Sequence, residues 1–245
     1  MASSCSLMVP CAAARHAMQL LREAPSVPFG IHLTLTRDSA DHHWAPVAPI
    51  ADVPPLLDRD GQLFTTETIS QLLAQARLDE VERELRAQID AVVDRGLAPT
   101  HLDWHCLADG GRQDVLDLTV ALAEEHGLAV RIWLGPGRRE ARRHGLPVVD
   151  HDFVDSFALD VEGKAERYVE LLRALPAGLS EWAVHPGLDD EATRDIDAGW
   201  QVRRTDHDFL VSPLARRVIE QEGIVVIDYE PVQQAWTAAF ASQEW

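Results

Sequence analysis

Three cysteines in 245 residues, Cys5, Cys11 and Cys106, show no CxxC and no paired spacing, so they imply neither a disulfide framework nor a cysteine zinc site. No apolar run approaches the roughly 20 residues of a membrane helix. Residues 1–14 carry no Lys or Arg ahead of a short apolar stretch at 7–10, which argues against a secretory leader. Pro10 before Cys11 likewise argues against a lipoprotein signal. Basic residues are scarce: 22 Lys and Arg stand against 40 Asp and Glu, a net charge of −18. Such a chain repels phosphate backbones, which disfavours non-specific binding to nucleic acid or anionic membrane. There is no Gly-rich phosphate loop, nucleotide fingerprint or nucleophile elbow. A soluble, cytoplasmic globular protein is the expectation.

What is present suffices for a large core, with 46% hydrophobic and 25% charged residues. Apolar runs of strand length are expected to form strands at 6–9, 28–35, 100–105, 129–134, 182–185 and, fully buried, 223–229. Helical spacing predicts helices over 12–23, 66–95 (two, or one broken), 115–126, 161–175 and 213–222. A Pro- and Asp-rich loop at 38–61 is too long for a plain connection. Strands alternating with helices imply a parallel sheet. The fold class is α/β, and at this length a (β/α) barrel is favoured over an open sheet as one domain spanning 1–245.

Eleven histidines offer the chemistry, and several follow a pattern. In Gly30-Ile31-His32-Leu33-Thr34-Leu35-Thr36, the two-residue period of a strand puts His32, Thr34 and Thr36 on one face. In Pro99-Thr100-His101-Leu102-Asp103-Trp104-His105 it aligns His101, Asp103 and His105. Imidazole plus carboxylate suits zinc, manganese or iron, although a lone strand histidine is more often a hydrogen-bonded core residue. His185, in Val184-His185-Pro186-Gly187, is either part of a plain turn or a strand-end acid or base. The arginines at 138–143 and the acidic residues at 189–197 read as solvated surface. Arg203 and Arg204 could reach a substrate. Trp44, Trp104 and Trp133 could stack on a sugar, but burial is their commoner fate.

Taken in order with Ser6-Leu7-Met8-Val9, these stretches resemble the YdjC-like carbohydrate deacetylases, the family of chitooligosaccharide and hopanoid-pathway deacetylases. The resemblance implies a TIM-barrel-like fold and metal-dependent removal of an N-acetyl group from a small amino sugar or oligosaccharide. It makes His32 and His101 metal ligands and His185 the acid that protonates the leaving amine. Asp103 and His105 become groups that steady the ligands or face the substrate; Arg204, on the residues alone, is a further expected substrate contact. The metal is a divalent ion, magnesium first by family, with zinc, manganese or cobalt as the other candidates. Two departures stand out. The family's ligand Asp, in an Asp-Asp-Phe-Gly-like motif one βα unit before Ser6, has no counterpart here, because the first Asp is Asp38. The histidine run after the second motif is replaced by Cys106-Leu107-Ala108-Asp109. The expected barrel is therefore incomplete at its N-terminus, lacking its first βα unit, and its open edge suggests self-association into a homo-oligomer. The alternatives are another metal-dependent amidase or phosphoesterase, and a non-catalytic sugar-binding relative that lost the metal.

Overall fold

The computed structural model describes residues 2–242. The chain divides into two compact units, residues 4–148 with 228 onward, and residues 149–227 with the first few residues. The larger unit runs β1 (Cys5–Leu7), α1 (Ala14–Glu23), β2 (Phe29–Leu33), β3 (Thr36–Arg37), β4 (Phe64–Thr65), α2 (Ile69–Gln75), α3 (Leu78–Val93), β5 (His101–Trp104), α4 (Gln113–His126), β6 (Ala129–Val130) and α5 (Gly135–Arg143). The smaller holds β7 (Val154–Asp155), α6 (Lys164–Arg173), β8 (Trp182–Ala183), α7 (Glu191–Ile196), α8 (Trp200–Leu210) and α9 (Pro213–Gln221); α10 (Glu230–Ser242) belongs to the larger again. Parallel strands joined through helices make the fold α/β, TIM-barrel-like in its strand–helix order. Among the described residues no helix is long and apolar enough to cross a membrane.

The main sheet has the order β1-β2-β5-β6, with Ser6 opposite Gly30 and His32 opposite Asp103. One face is apolar. Ile31, Leu33, Leu102 and Trp104 are almost wholly buried in one cluster with Val81, Leu85 and Ile89 of α3 and Leu122 of α4. The four-residue recurrence of Val81, Leu85, Ile89 and, three on, Val92 is what makes α3 a helix with one buried stripe. The helix 66–95 is indeed two, and α4 stops where Gly127 takes φ +64°.

Two polar residues on that stripe fasten the neighbouring chain. The Gln88 side chain donates to the Thr34 carbonyl at 2.7 Å and accepts from the Thr34 N–H at 3.0 Å, acting as a short substitute strand just past β2. Glu84 accepts from the Val47 and Ala48 amides, both at 2.9 Å, which moors the long loop after β3. Burial pushes the Glu84 carboxyl up, and the two amides and Gln88 partly offset this.

Three expectations fail. Residues 224–228 form no strand among the described residues, and Val225 is 81% exposed. An apolar β-branched run becomes a strand only where a neighbour completes its ladder, and none does. The acidic stretch 189–197 is solvated at Asp190, Glu191 and Asp195 as expected, but it is helical rather than loop, with Asp190 capping α7 by accepting from the Thr193 N–H at 2.8 Å. Arg138 is buried rather than solvated. Replacing Gln88 with Leu strands both backbone groups of the buried Thr34. Urea unfolding should show a loss of about 2–4 kcal/mol. A loss under about 1 kcal/mol would mean that the clamp holds nothing.

Candidate functional site

The second face of the main sheet is polar. Asp103 sits at its centre, fully buried. Its Oδ2 accepts from Ser6 Oγ on β1 at 3.0 Å and pairs with Arg131 Nη2, just past β6, at 2.8 Å. Its Oδ1 stands 3.0 Å from His32 Nδ1 on β2. Burial opposes the carboxylate charge, but Arg131 and then His32 outweigh it and hold Asp103 well below the usual carboxylate range. Asp103 is thus ionised and orients its neighbours; buried in this way, it is not itself substrate-facing.

His101 lies on the same face, directly over Gly30. A Cβ at position 30 would fall 2.4 Å from the His101 ring, so only glycine leaves the ring room. Tyr229 stacks on the other side, ring centroids 3.7 Å apart. His101 Nδ1 meets Thr100 Oγ1 at 2.9 Å, and Nε2 meets Ser6 Oγ at 3.3 Å. The Thr100 hydroxyl also reaches the Phe29 carbonyl at 3.0 Å. Thr100 gives its proton to Phe29 and Ser6 gives its proton to Asp103, so each hydroxyl oxygen faces one His101 ring nitrogen as an acceptor. Burial drives the imidazole pKa down to about 4, with Arg131 and His32 adding to the fall and Asp103 opposing it. His101 is neutral at physiological pH. A neutral imidazole carries one nitrogen lone pair, the donor chemistry for a divalent ion, and His32 is the second imidazole. Asp103 Oδ2 is engaged by Ser6 and Arg131, while Oδ1 faces His32 Nδ1 at 3.0 Å.

Past β5 the chain turns sharply at Cys106, φ +54°. Buried His105 stands beside Asp38, with Nε2 2.9 Å from Oδ1, and beside Cys106 Sγ, 3.8 Å from Nδ1. Burial lowers the His105 pKa, but the Asp38 carboxylate and Cys106 more than offset this and raise it. Its ring meets His32 edge-on at 5.4 Å and Trp44 at 5.7 Å. Asp38, His105 and Cys106 form the one group of three ligating side chains among the described residues, their donor atoms all within 4.8 Å. Of the tryptophans, Trp104 is buried in the core and Trp44 is buried beside His105.

In the smaller unit, His185 has its N–H held by Asp206 Oδ2 at 2.8 Å and its Nδ1 next to Ser156 Oγ at 3.0 Å. Asp206 is fully buried, its Oδ1 bonded to Tyr168 at 2.7 Å and paired with Lys164 Nζ at 2.9 Å. Burial opposes that charge, but the His185 amide, Ser156, Tyr168 and Lys164 together keep the carboxyl low. The turn at 185–187 is therefore rigidly held. Arg204 is exposed and bonded to Asp208 at 2.7 Å.

The structure so gathers His32, His101 and Asp103 on one face with His105 at its end. Sequence reasoning missed Ser6, Arg131, Tyr229, Asp38, Cys106 and Asp206. Ser6 was within reach of the same two-residue period; the rest meet only through tertiary folding. Between pH 6.5 and about 4 an unfolded chain takes up a proton that folded His101 refuses, so stability falls as pH drops through that window. In metal-free buffer the slope should approach 1.4 kcal/mol per pH unit. His101→Gln should flatten it, and an unchanged slope would show that the ring titrates normally.

A family model described as YdjC-like protein matches residues 1–221. The carbohydrate deacetylase of Geobacillus stearothermophilus is 29% identical over 228 residues, covering 93% of this chain and 85% of that protein. The carbohydrate deacetylase of Brevibacillus brevis is 31% identical over 230 residues, covering 93% and 87%. The chitooligosaccharide deacetylase of Serratia marcescens is 28% identical over 235 residues, covering 93% and 87%. Among solved structures, a candidate cellobiose-phosphate cleavage protein of Enterococcus faecalis V583 superposes with a TM-score of 0.78 at 24% identity, covering 94% of this chain and 87% of that one. That likeness extends to the fold. With a family model spanning most of its length and relatives aligned over nine-tenths of it, this chain belongs to the YdjC-like protein family.

Proposed function

We propose that the protein is a metal-dependent carbohydrate N-deacetylase, a hydrolase that removes the acetyl group from a small N-acetylated amino sugar or oligosaccharide. The observation that carries this reading is the group of half-buried His32, ionised Asp103 and neutral His101 on the polar sheet face. The relatives named carbohydrate deacetylase and chitooligosaccharide deacetylase support the substrate class.

A divalent ion, when bound, supplies Lewis acidity toward the acetyl carbonyl. His32 and His101 would hold it; magnesium is first by family, and zinc, manganese and cobalt suit the same imidazoles. Asp103 fixes the His32 ring and supplies a negative charge that Arg131 alone would otherwise leave unbalanced. In the hydrolysis, water adds to the acetyl carbon, the C–N bond breaks, and the amine leaves with a proton. His185 is the proton donor in this reading. Its Nδ1 is placed against Ser156 and its backbone N–H is held by Asp206. His105 and Arg204 remain the proposed substrate contacts. We take the protein to act in the cytoplasm.

Acetate release from a panel of N-acetylated sugars, with chelator and with added divalent metal, is the test. Metal-dependent release is expected, and its absence from the folded protein would favour a sugar-binding role instead. His101→Ala should abolish both metal binding and turnover, whereas Arg139→Ala, on an exposed helix face, should change neither. Asp103→Asn should cost about 10- to 100-fold in metal affinity or turnover. His185→Ala should lower turnover with metal retained; loss of metal would make His185 a ligand.

A further inference from the structure

In the smaller unit, Asp155, Ser156 and Phe157 all close on the ring of His185. Strand β7 pairs in parallel with β8, setting Asp155 opposite Ala183, so the chain leaving β7 runs beside the chain leaving β8. Asp155 caps the short turn Ser156–Ala158 by accepting from the Phe157 N–H at 2.8 Å. That turn presents Ser156 Oγ 3.0 Å from His185 Nδ1, with Asp155 Oδ1 3.9 Å from the same nitrogen. The Phe157 ring stands edge-on to the imidazole, centroids 4.8 Å apart, and keeps it turned toward Ser156. Ser156 is wholly buried, whereas the His185 side chain is 32% exposed. The His185 backbone is fixed separately by Asp206, which Tyr168 and Lys164 hold in turn.

The neighbouring charges decide which way the bond between Ser156 and His185 runs. A hydroxyl has one proton to give, and a carboxylate only accepts. The Ser156 hydroxyl also serves the ionised Asp206. With its proton directed there, the Ser156 oxygen faces Nδ1 as an acceptor. Asp155 adds a negative charge beside the same nitrogen, which favours a proton there over a lone pair.

We propose that Ser156 is a positioning residue and that, with Asp155, it fixes neutral His185 in the tautomer that carries its proton on Nδ1. Its use in turnover rests on the reading of His185 as the proton donor in deacetylation. There the imidazolium gives its Nε2 proton to the leaving nitrogen as the C–N bond breaks, and returns to the neutral Nδ1–H form. Solvent supplies the next proton. An unrestrained imidazole favours the opposite form, Nε2–H, which has no lone pair on Nε2 to take that proton back.

The test is nitrogen-15 NMR of the labelled histidine rings of the full chain, at a pH where His185 is neutral, together with acetate release from N-acetylated sugars. Comparison with His185→Gln assigns the ring. Wild-type His185 should be protonated on Nδ1. Ser156→Ala, which removes only the buried hydroxyl, should turn the ring mostly to Nε2–H and lower kcat about tenfold or more with KM unchanged. Asp155→Asn still caps the turn and should shift the tautomer the same way to a smaller extent. Circular dichroism confirms that each variant is folded. A wild-type ring protonated on Nε2, or a tautomer that Ser156→Ala leaves unchanged, would overturn the proposal. So would full kcat in a Ser156→Ala variant whose tautomer has switched. Absence of acetate release from a wild-type protein with Nδ1 protonated would instead overturn the deacetylase reading and leave the tautomer assignment standing.

Discussion

A single buried charge organises the larger unit. Asp103 has no exposed surface, and an isolated carboxylate there would be neutralised or expelled. It stays ionised because Arg131, His32 and Ser6 converge on it from β6, β2 and β1. Removing one partner of such a buried pair typically costs about 3–5 kcal/mol, because the remaining charge is stranded. The sheet register is fixed by the same requirement. A slip of one residue would send His32 or Asp103 to the apolar face and break the pairing.

The rest of the site is built around that charge by exclusion of space and water. His101 can lie flat only because residue 30 is glycine, and Tyr229 closes the other side of the ring. Thr100 holds Nδ1, and burial keeps the ring neutral. On the far side of the sheet, α3 reaches around the end of β2 through Gln88 and secures the long loop through Glu84. The loop that carries Asp38 is therefore tied to the same helix that packs the sheet. In the smaller unit a second buried carboxylate, Asp206, holds the His185 backbone N–H, while Ser156 meets the ring.

Much of this was legible from periodicity. The two-residue alternation around His32 and His101 placed both rings and Asp103 on one face, and the apolar partners on the other. The four-residue recurrence along 69–93 gave both helices. The failures share a physical cause, which is that they depend on partners remote in the chain. The run 223–229 has strand composition, but composition cannot report whether a neighbouring strand is there to pair with. Helix α10 has Trp236 as its one buried residue, too sparse a stripe to announce itself. Asp206 and Asp38 looked like ordinary acidic surface residues, because nothing local marks a carboxylate that folding will place against a histidine.

The central claim is that burial over Gly30 holds His101 as a neutral imidazole donor for a divalent ion, against the pull of the ionised Asp103. Nitrogen-15 NMR of the labelled histidine rings, recorded from about pH 5 to 8 with and without added metal, tests it most directly. The account predicts a His101 ring that stays neutral throughout that range, with a ring nitrogen resonance moving when metal is added. A His101 that takes up a proton near pH 6.5, or whose ring resonances ignore the metal, would contradict it.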